Sequence, residues 1–168
     1  MDSKEIEDAR SSSLQREIVI LGNKKAEEYY SEAQQMATWA LESKLPKTQV
    51  SAMLNTINTT SSSAEFLNYI KRQVGKAHSS FISSAKSAAK TPPAWIATVH
   101  INQDSDEKKP FGAVLVDKLE GIRQQAIRDA EREEMDLENE IKLCVVYLRQ
   151  FLKAFEAHYL YKSMELSD

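Results

Sequence analysis

The chain has 168 residues, 42% hydrophobic and 28% charged, with four glycines, four prolines, one cysteine and a formal net charge of −3. That length suits one domain spanning 1–168, and scarce Gly and Pro beside abundant Ala, Leu, Glu, Lys, Gln and Ser predict an all-α bundle of about five helices. A lone Cys144 excludes a disulfide framework within the chain, the start MDSKEIEDAR lacks a signal-peptide layout, and no apolar run approaches spanning length, so a soluble, cytoplasmic protein without membrane contact is expected.

Residues 3–43 read as helix, either in two pieces or as one with a frayed start. Leu14, Ile18 and Leu21 are spaced by four and three, and Tyr29, Ala33, Met36 and Ala40 by four, three and four, with Gly22-Asn23 as the expected interruption. Residues 1–12 have only Ile6 and Ala9 to bury and are expected to be mobile. A short helix follows from Leu45-Pro46-Lys47 to about Asn58, since proline is tolerated in a first turn whose N–H groups lack helical partners. Val50, Met53, Leu54 and Ile57 form its apolar face. Ser62 and Glu65 then have the spacing of a capping box, which sets the start of the next helix.

That helix, predicted to run to Lys90, organises the chain. At 100° per residue, Phe66, Ile70, Val74, Ala77, Phe81, Ala85 and Ala88 fall on one stripe, while Arg72, Lys76, Ser79, Ser83, Lys86 and Lys90 gather opposite. Between Glu65 and Asp104 there is no acid. Residues 1–42 carry nine acids and five bases, 43–103 one and seven, and 104–168 fifteen and ten, so a weakly acidic protein has a basic middle third. Two arrangements stand open: a solvated polar face neutralised by the acidic flanks, or a surface for an anionic partner. Phe66, Tyr69 and Phe81 interleave with Lys71, Arg72 and Lys76, which allows bases to stack beside phosphate contacts. The phase of Phe66 and Phe81 places them in the core, and only Tyr69 is angled towards the basic side.

Thr91-Pro92-Pro93 stops the helix. The stretch 91–111 reads as one long loop, ordered by Trp95 and Ile96 docking on the bundle, with a flexible tip at 103–109. From Gly112 to about Met164 the chain is helical again. Leu115, Leu119, Ile122 and Ala126 form one seam, and Leu137, Ile141, Cys144, Leu148, Phe151 and Phe155 another. Between them the charged run 128–136 holds either a bend near Glu133 or a continuous helix.

No active site assembles from these residues, and a non-enzymatic role without metal or cofactor is expected. His158 lies two residues from Glu156, about 200° away on a helix, and the Glu-x-x-His and His-Glu-x-x-His patterns of metal sites are missing. Gly75-Lys76-Ala77 fails the phosphate-loop spacing, and no Gly-x-Ser-x-Gly occurs. His78 leaves a phosphotransfer bundle as a remote reading, although Ser79-Ser80-Phe81 stand where that class has basic and glycine residues.

The C-terminal run Tyr147-Leu148-Arg149-Gln150-Phe151-Leu152-Lys153-Ala154-Phe155-Glu156-Ala157-His158-Tyr159-Leu160-Tyr161 is similar to the closing helix of the small all-helical subunit of type III, Csm-type, CRISPR effector complexes. Thr48-Gln49-Val50 resembles that family's helix start, and Gln73-Val74-Gly75-Lys76 the small-then-basic pair closing its next helix. The resemblance falls in three separate pieces of the chain. Ser51 stands where the family has a basic residue, and the region 91–136 is longer than expected. The resemblance implies a non-catalytic bundle that stacks in copies within a ribonucleoprotein, contacting guide RNA, target RNA and neighbouring subunits. RNA backbone contacts would come from Arg72, Lys76, Lys86 and Lys90, with Lys44, Lys47 and Lys71 in second rank. The alternative is a helical protein–protein adaptor without nucleic-acid binding.

Overall fold

Apolar side chains recur every three or four residues through most of the chain, and these runs close into helices wherever a cap or turn allows. The computed structural model describes residues 2–84 and 91–167. Its elements are α1 (Ser3–Glu28), α2 (Tyr30–Glu42), α3 (Lys47–Thr59), α4 (Ser63–Ser83), β1 (Thr98–His100), β2 (Lys108–Pro110), α5 (Phe111–Arg132) and α6 (Leu137–Glu165). The described residues thus form an all-α bundle of six helices, one more than expected, with a two-stranded antiparallel ribbon inserted.

The core is built around α6. Tyr147, Leu148, Phe151, Leu152 and Phe155 are each 1% exposed or less, and neighbouring helices cover them from several sides. α1 and α2 run parallel to α6 at one constant offset. Gln15 donates to Asn139 at 3.2 Å, Gly22 faces Val146, and Lys162 bonds Thr38, each pair being 124 residues apart. α5 returns antiparallel to α6, with the Tyr147 hydroxyl donating to Asp129 at 2.6 Å. Tyr159 ties the other end by donating to the Leu45 carbonyl at 2.6 Å.

Gly22 does not break the first helix. A Cβ there would come within 2.7 Å of Val146 Cγ1, so the missing side chain lets α1 approach α6 closely. The interruption falls instead at Tyr29, whose φ of −84° and ψ of −5° remain in the right-handed helical region. Residues 3–12, expected to be mobile, are helical from Ser3 and exposed throughout.

Two turns that join helices use the same device without glycine. Lys44 and Glu134 adopt φ of 62° and 52°. Beyond them Leu45 N–H bonds the Ala40 carbonyl and Met135 N–H the Ala130 carbonyl, both at 2.9 Å. This is the six-to-one bond of a Schellman cap, which turns the chain within two residues of the helix end. The bend therefore separates α5 from α6, and a continuous helix through 128–136 is excluded.

α5 buries Leu115, Leu119, Ile122 and Ala126 as predicted. The apolar α6 seam begins later than predicted: Leu137 is 70% and Ile141 40% exposed, and the first buried apolar residues are Leu143 and Cys144. Trp95 docks as expected, 4% exposed, bonded through Nε1 to Gln49 and with its ring centroid 6.2 Å from that of Phe111. The expected loop tip 103–109 enters β2 at Lys108, where His100 pairs with Lys108 and Thr98 with Pro110. Among the described residues no helix is long and apolar enough to cross a membrane.

Candidate nucleic-acid interface

α4 starts where its cap requires. The Ser62 hydroxyl accepts from the Glu65 N–H at 3.3 Å, while the Ser62 N–H bonds Thr60 Oγ1 in place of the Glu65 carboxylate. The first two turns bury Ser63, Phe66, Leu67 and Ile70. Beyond Ile70 nothing on α4 is fully buried: Val74, Ala77 and Phe81 are half-buried, so the predicted apolar stripe fades along its length. The notch in α5 at Gly112 receives Val74, whose Cγ2 would lie 2.5 Å from a Cβ at that glycine. Past this contact the helix projects a mostly solvent-exposed surface.

Arg72 and Lys76 lie on that surface, four residues apart and exposed. Neither is in an ion pair among the described residues. Like charges at this spacing destabilise a helix by a few tenths of a kcal/mol. With Asn68, Lys71, Gly75 and Ser79 they line a shallow depression of about 670 Å³. At Gly75 a Cβ would meet nothing within 4 Å.

The other predicted cations divide. Lys71 is turned towards α5 and pairs with Glu120 at 2.7 Å, which withdraws it from the free set. Lys44 is exposed in the turn before α3, at its positive φ. Lys47 opens α3 and lines a different depression, with Ser51, Asn55 and Asn58. Lys86 and Lys90 lie outside the described residues, as do Ala85 and Ala88. Tyr69 is half-buried, with its ring 6.4 Å from that of Phe66. It is only partly available for stacking.

The groups displaced from their ordinary acidity are held in their resting forms. Burial pushes the Tyr29, Tyr147 and Tyr159 hydroxyls up, the Asp129 carboxylate adding to this at Tyr147. Burial also pushes the Cys144 thiol up, against the thiolate that nucleophilic or redox chemistry requires. The Asp136 carboxyl is held below its usual range by the Asn139 backbone N–H and then by the Asn139 side-chain amide. His78 and His100 are exposed, and His158 packs edge-on against the Tyr30 ring at 4.6 Å. Among the described residues no three His, Cys, Asp or Glu side chains converge as a metal site.

Sequence patterns did not reveal the polar cluster between α1, α5 and α6. Asp129, 1% exposed, accepts from Tyr147 at 2.6 Å and Gln125 at 2.8 Å, and Arg132 approaches it at 3.2 Å. Lys25 stands 3.9 Å from its carboxylate and 5.7 Å from the centre of the Tyr147 ring. Nearby, the buried Tyr29 hydroxyl has no hydrogen-bond partner among the described residues. Alternating signs along 128–136 look like a solvated run, and nothing local marks Asp129 as the one turned inward. Comparison of the chain with protein-family models, with curated proteins and with solved structures finds no match.

Proposed function

We propose that the chain is a non-catalytic small subunit of a CRISPR ribonucleoprotein effector complex, acting in the cytoplasm and contacting the backbone of guide and target RNA through the outer face of α4. The observation that carries this reading is Arg72 and Lys76, exposed and unpaired among the described residues, on a helical hairpin whose only acid is Glu65. Their mutual repulsion is unfavourable in the isolated chain, and a phosphate between them converts it to attraction. Gly75 leaves room for a strand to approach the helix backbone. Lys44 and Lys47 extend positive charge to the start of α3, while Lys71 is engaged by Glu120 and contributes less. Lys86 and Lys90 continue the acid-free sequence beyond Ser84. The family assignment rests on the three-piece sequence resemblance, whose second and third pieces fall in α3 and in α4.

Exposed Leu137, Tyr161, Met164 and Leu166, each 59% exposed or more, supply apolar surface for neighbouring subunits, including further copies of the chain. The same surface supports the alternative of a helical adaptor that binds only protein.

RNA binding by the full chain across a salt series separates the two. The expected result is an affinity that falls as salt rises, with a slope of about −0.7 to −0.9 per phosphate contacted. It should drop about tenfold or more in the Arg72→Glu/Lys76→Glu variant, which replaces two attractions with two repulsions. Circular dichroism should show that variant folded, because exposed substitutions shift stability by only about 0.5 kcal/mol. Equal binding by the two proteins, or none by wild type at low salt, overturns the assignment of α4 and leaves the adaptor.

A further inference from the structure

α3 turns Thr48, Ser51, Asn55 and Asn58 outward at intervals of three, four and three residues, a spacing that aligns them along one side of the helix over about 15 Å. All four are exposed, and none of their side chains makes a hydrogen bond among the described residues. Thr56 and Thr59 on the same helix are different: their hydroxyls donate to the carbonyls of Ala52 and Asn55 at 2.7 and 3.0 Å. Three residues, 60–62, join α3 to α4, so the hydroxyl-and-amide seam is carried on the helix next to the one bearing Arg72 and Lys76. Packed helix axes lie about 8–10 Å apart.

The four side chains line a depression of about 640 Å³ whose far wall includes Glu156 of α6. Lys47 lines the same depression and offsets that carboxylate, so the site has no net positive charge to hold a phosphate. A sugar hydroxyl, by contrast, donates to Glu156, and the neutral amides and hydroxyls beside it both donate and accept. A-form RNA presents such hydroxyls across a wide, shallow minor groove, between the phosphate rails, and DNA lacks them. Resting on the reading of α4 as a phosphate-contacting face, we infer that the α3 seam and Glu156 take the ribose 2′-hydroxyls of the same nucleic acid. The chain then prefers an RNA duplex to DNA of the same sequence without reading that sequence.

The test uses the full chain and one sequence made as an RNA duplex, a DNA duplex and an RNA duplex with 2′-O-methyl sugars. The methylated duplex keeps the A-form shape and loses the hydroxyl donor. Wild type should bind RNA about tenfold more tightly than DNA, the size of one or two net hydrogen bonds, and methylation should remove most of that gain. The Asn55→Ala/Asn58→Ala/Glu156→Gln variant should bring RNA down to the DNA level with the salt slope unchanged. The Arg72→Glu/Lys76→Glu variant should lower both together. Equal wild-type affinity for RNA and DNA, a preference that survives methylation, or one that survives in the α3 variant overturns the inference and leaves the phosphate face standing. Absence of wild-type binding to any duplex overturns the phosphate face and this inference with it.

Discussion

Asp129 and the pair Arg72 and Lys76 show two opposite treatments of charge in one chain. Asp129 is drawn into the junction of α1, α5 and α6, where Tyr147, Gln125, Arg132 and Lys25 surround its carboxylate. Arg72 and Lys76 are exposed four residues apart, with no ion-pair partner among the described residues. The first arrangement locks three helices to one another, since a buried charge is tolerated only with its partners in place. The second adds nothing to folding and is mildly unfavourable to α4, so its use lies outside the monomer. Where a charge is compensated internally it belongs to the fold. Where it is left open on a surface almost free of the opposite sign, it is available to a ligand.

The largest effect expected from breaking this contrast is at Asp129. Asp129→Ala leaves the buried Tyr147 hydroxyl without its acceptor, at a cost of about 1–3 kcal/mol, while Lys25 keeps Glu28 as its partner. Urea denaturation measures this directly. A loss no greater than the ~0.5 kcal/mol of a surface substitution would mean that the network adds nothing to stability. Nucleic-acid affinity of the folded variant should stay at the wild-type value, because no group on α3 or α4 is touched.

Two glycines sharpen the same division at smaller scale. Helix propensity alone predicts that Gly→Ala stabilises either position by up to about 1 kcal/mol. Gly75→Ala on the open face should do so, since the new Cβ meets nothing within 4 Å. Gly22→Ala should instead destabilise by about 1–2 kcal/mol, because its Cβ would press on Val146 Cγ1 at 2.7 Å and push α1 off α6. Thermal melts of the two variants should therefore move in opposite directions. A shared direction would contradict the close approach of α1 to α6.

The parts of the fold legible in the sequence are those set by local chemistry. The Ser62 cap, the proline-led start of α3, the seam from Leu115 to Ala126 and the exposure of Arg72 and Lys76 all follow from spacing and residue type. What escaped was decided by neighbours distant in sequence. Gly22 reads as a break until Val146 is beside it. Tyr29 carries no breaking signal, because backbone bonds from Tyr29 to Lys25 and from Ala33 to Tyr29, both 2.8 Å, keep the chain close to helical. Phe81, Leu137 and Ile141 keep the period of their seams but lie where the bundle has little or nothing to cover them. On the candidate face, the outward phase of Arg72 and Lys76 was legible, whereas their lack of an acidic partner among the described residues and the loss of Lys71 to Glu120 needed the neighbouring helices in place.

The smallest expected effect concerns a third kind of charge, one whose partner is the backbone. Asp136 caps α6, its Oδ1 accepting from the Asn139 N–H at 2.9 Å and from the Asn139 side-chain amide at 2.8 Å. Asn139 in turn accepts from Gln15, so the cap also holds α1 against the start of α6. The lowered Asp136 pKa means that the folded state favours the carboxylate more than the unfolded chain does. Its contribution is therefore present above the unfolded carboxyl value near 4 and fades as pH falls through the folded one. Asp136→Asn keeps a good capping acceptor and removes the titrating charge. Wild type should be slightly more stable than this variant at neutral pH, and the two should converge on acidification. A gap that stays constant or widens in acid would show that the cap holds α6 by shape alone, and that charge in this chain stabilises folding only where, as at Asp129, it is buried.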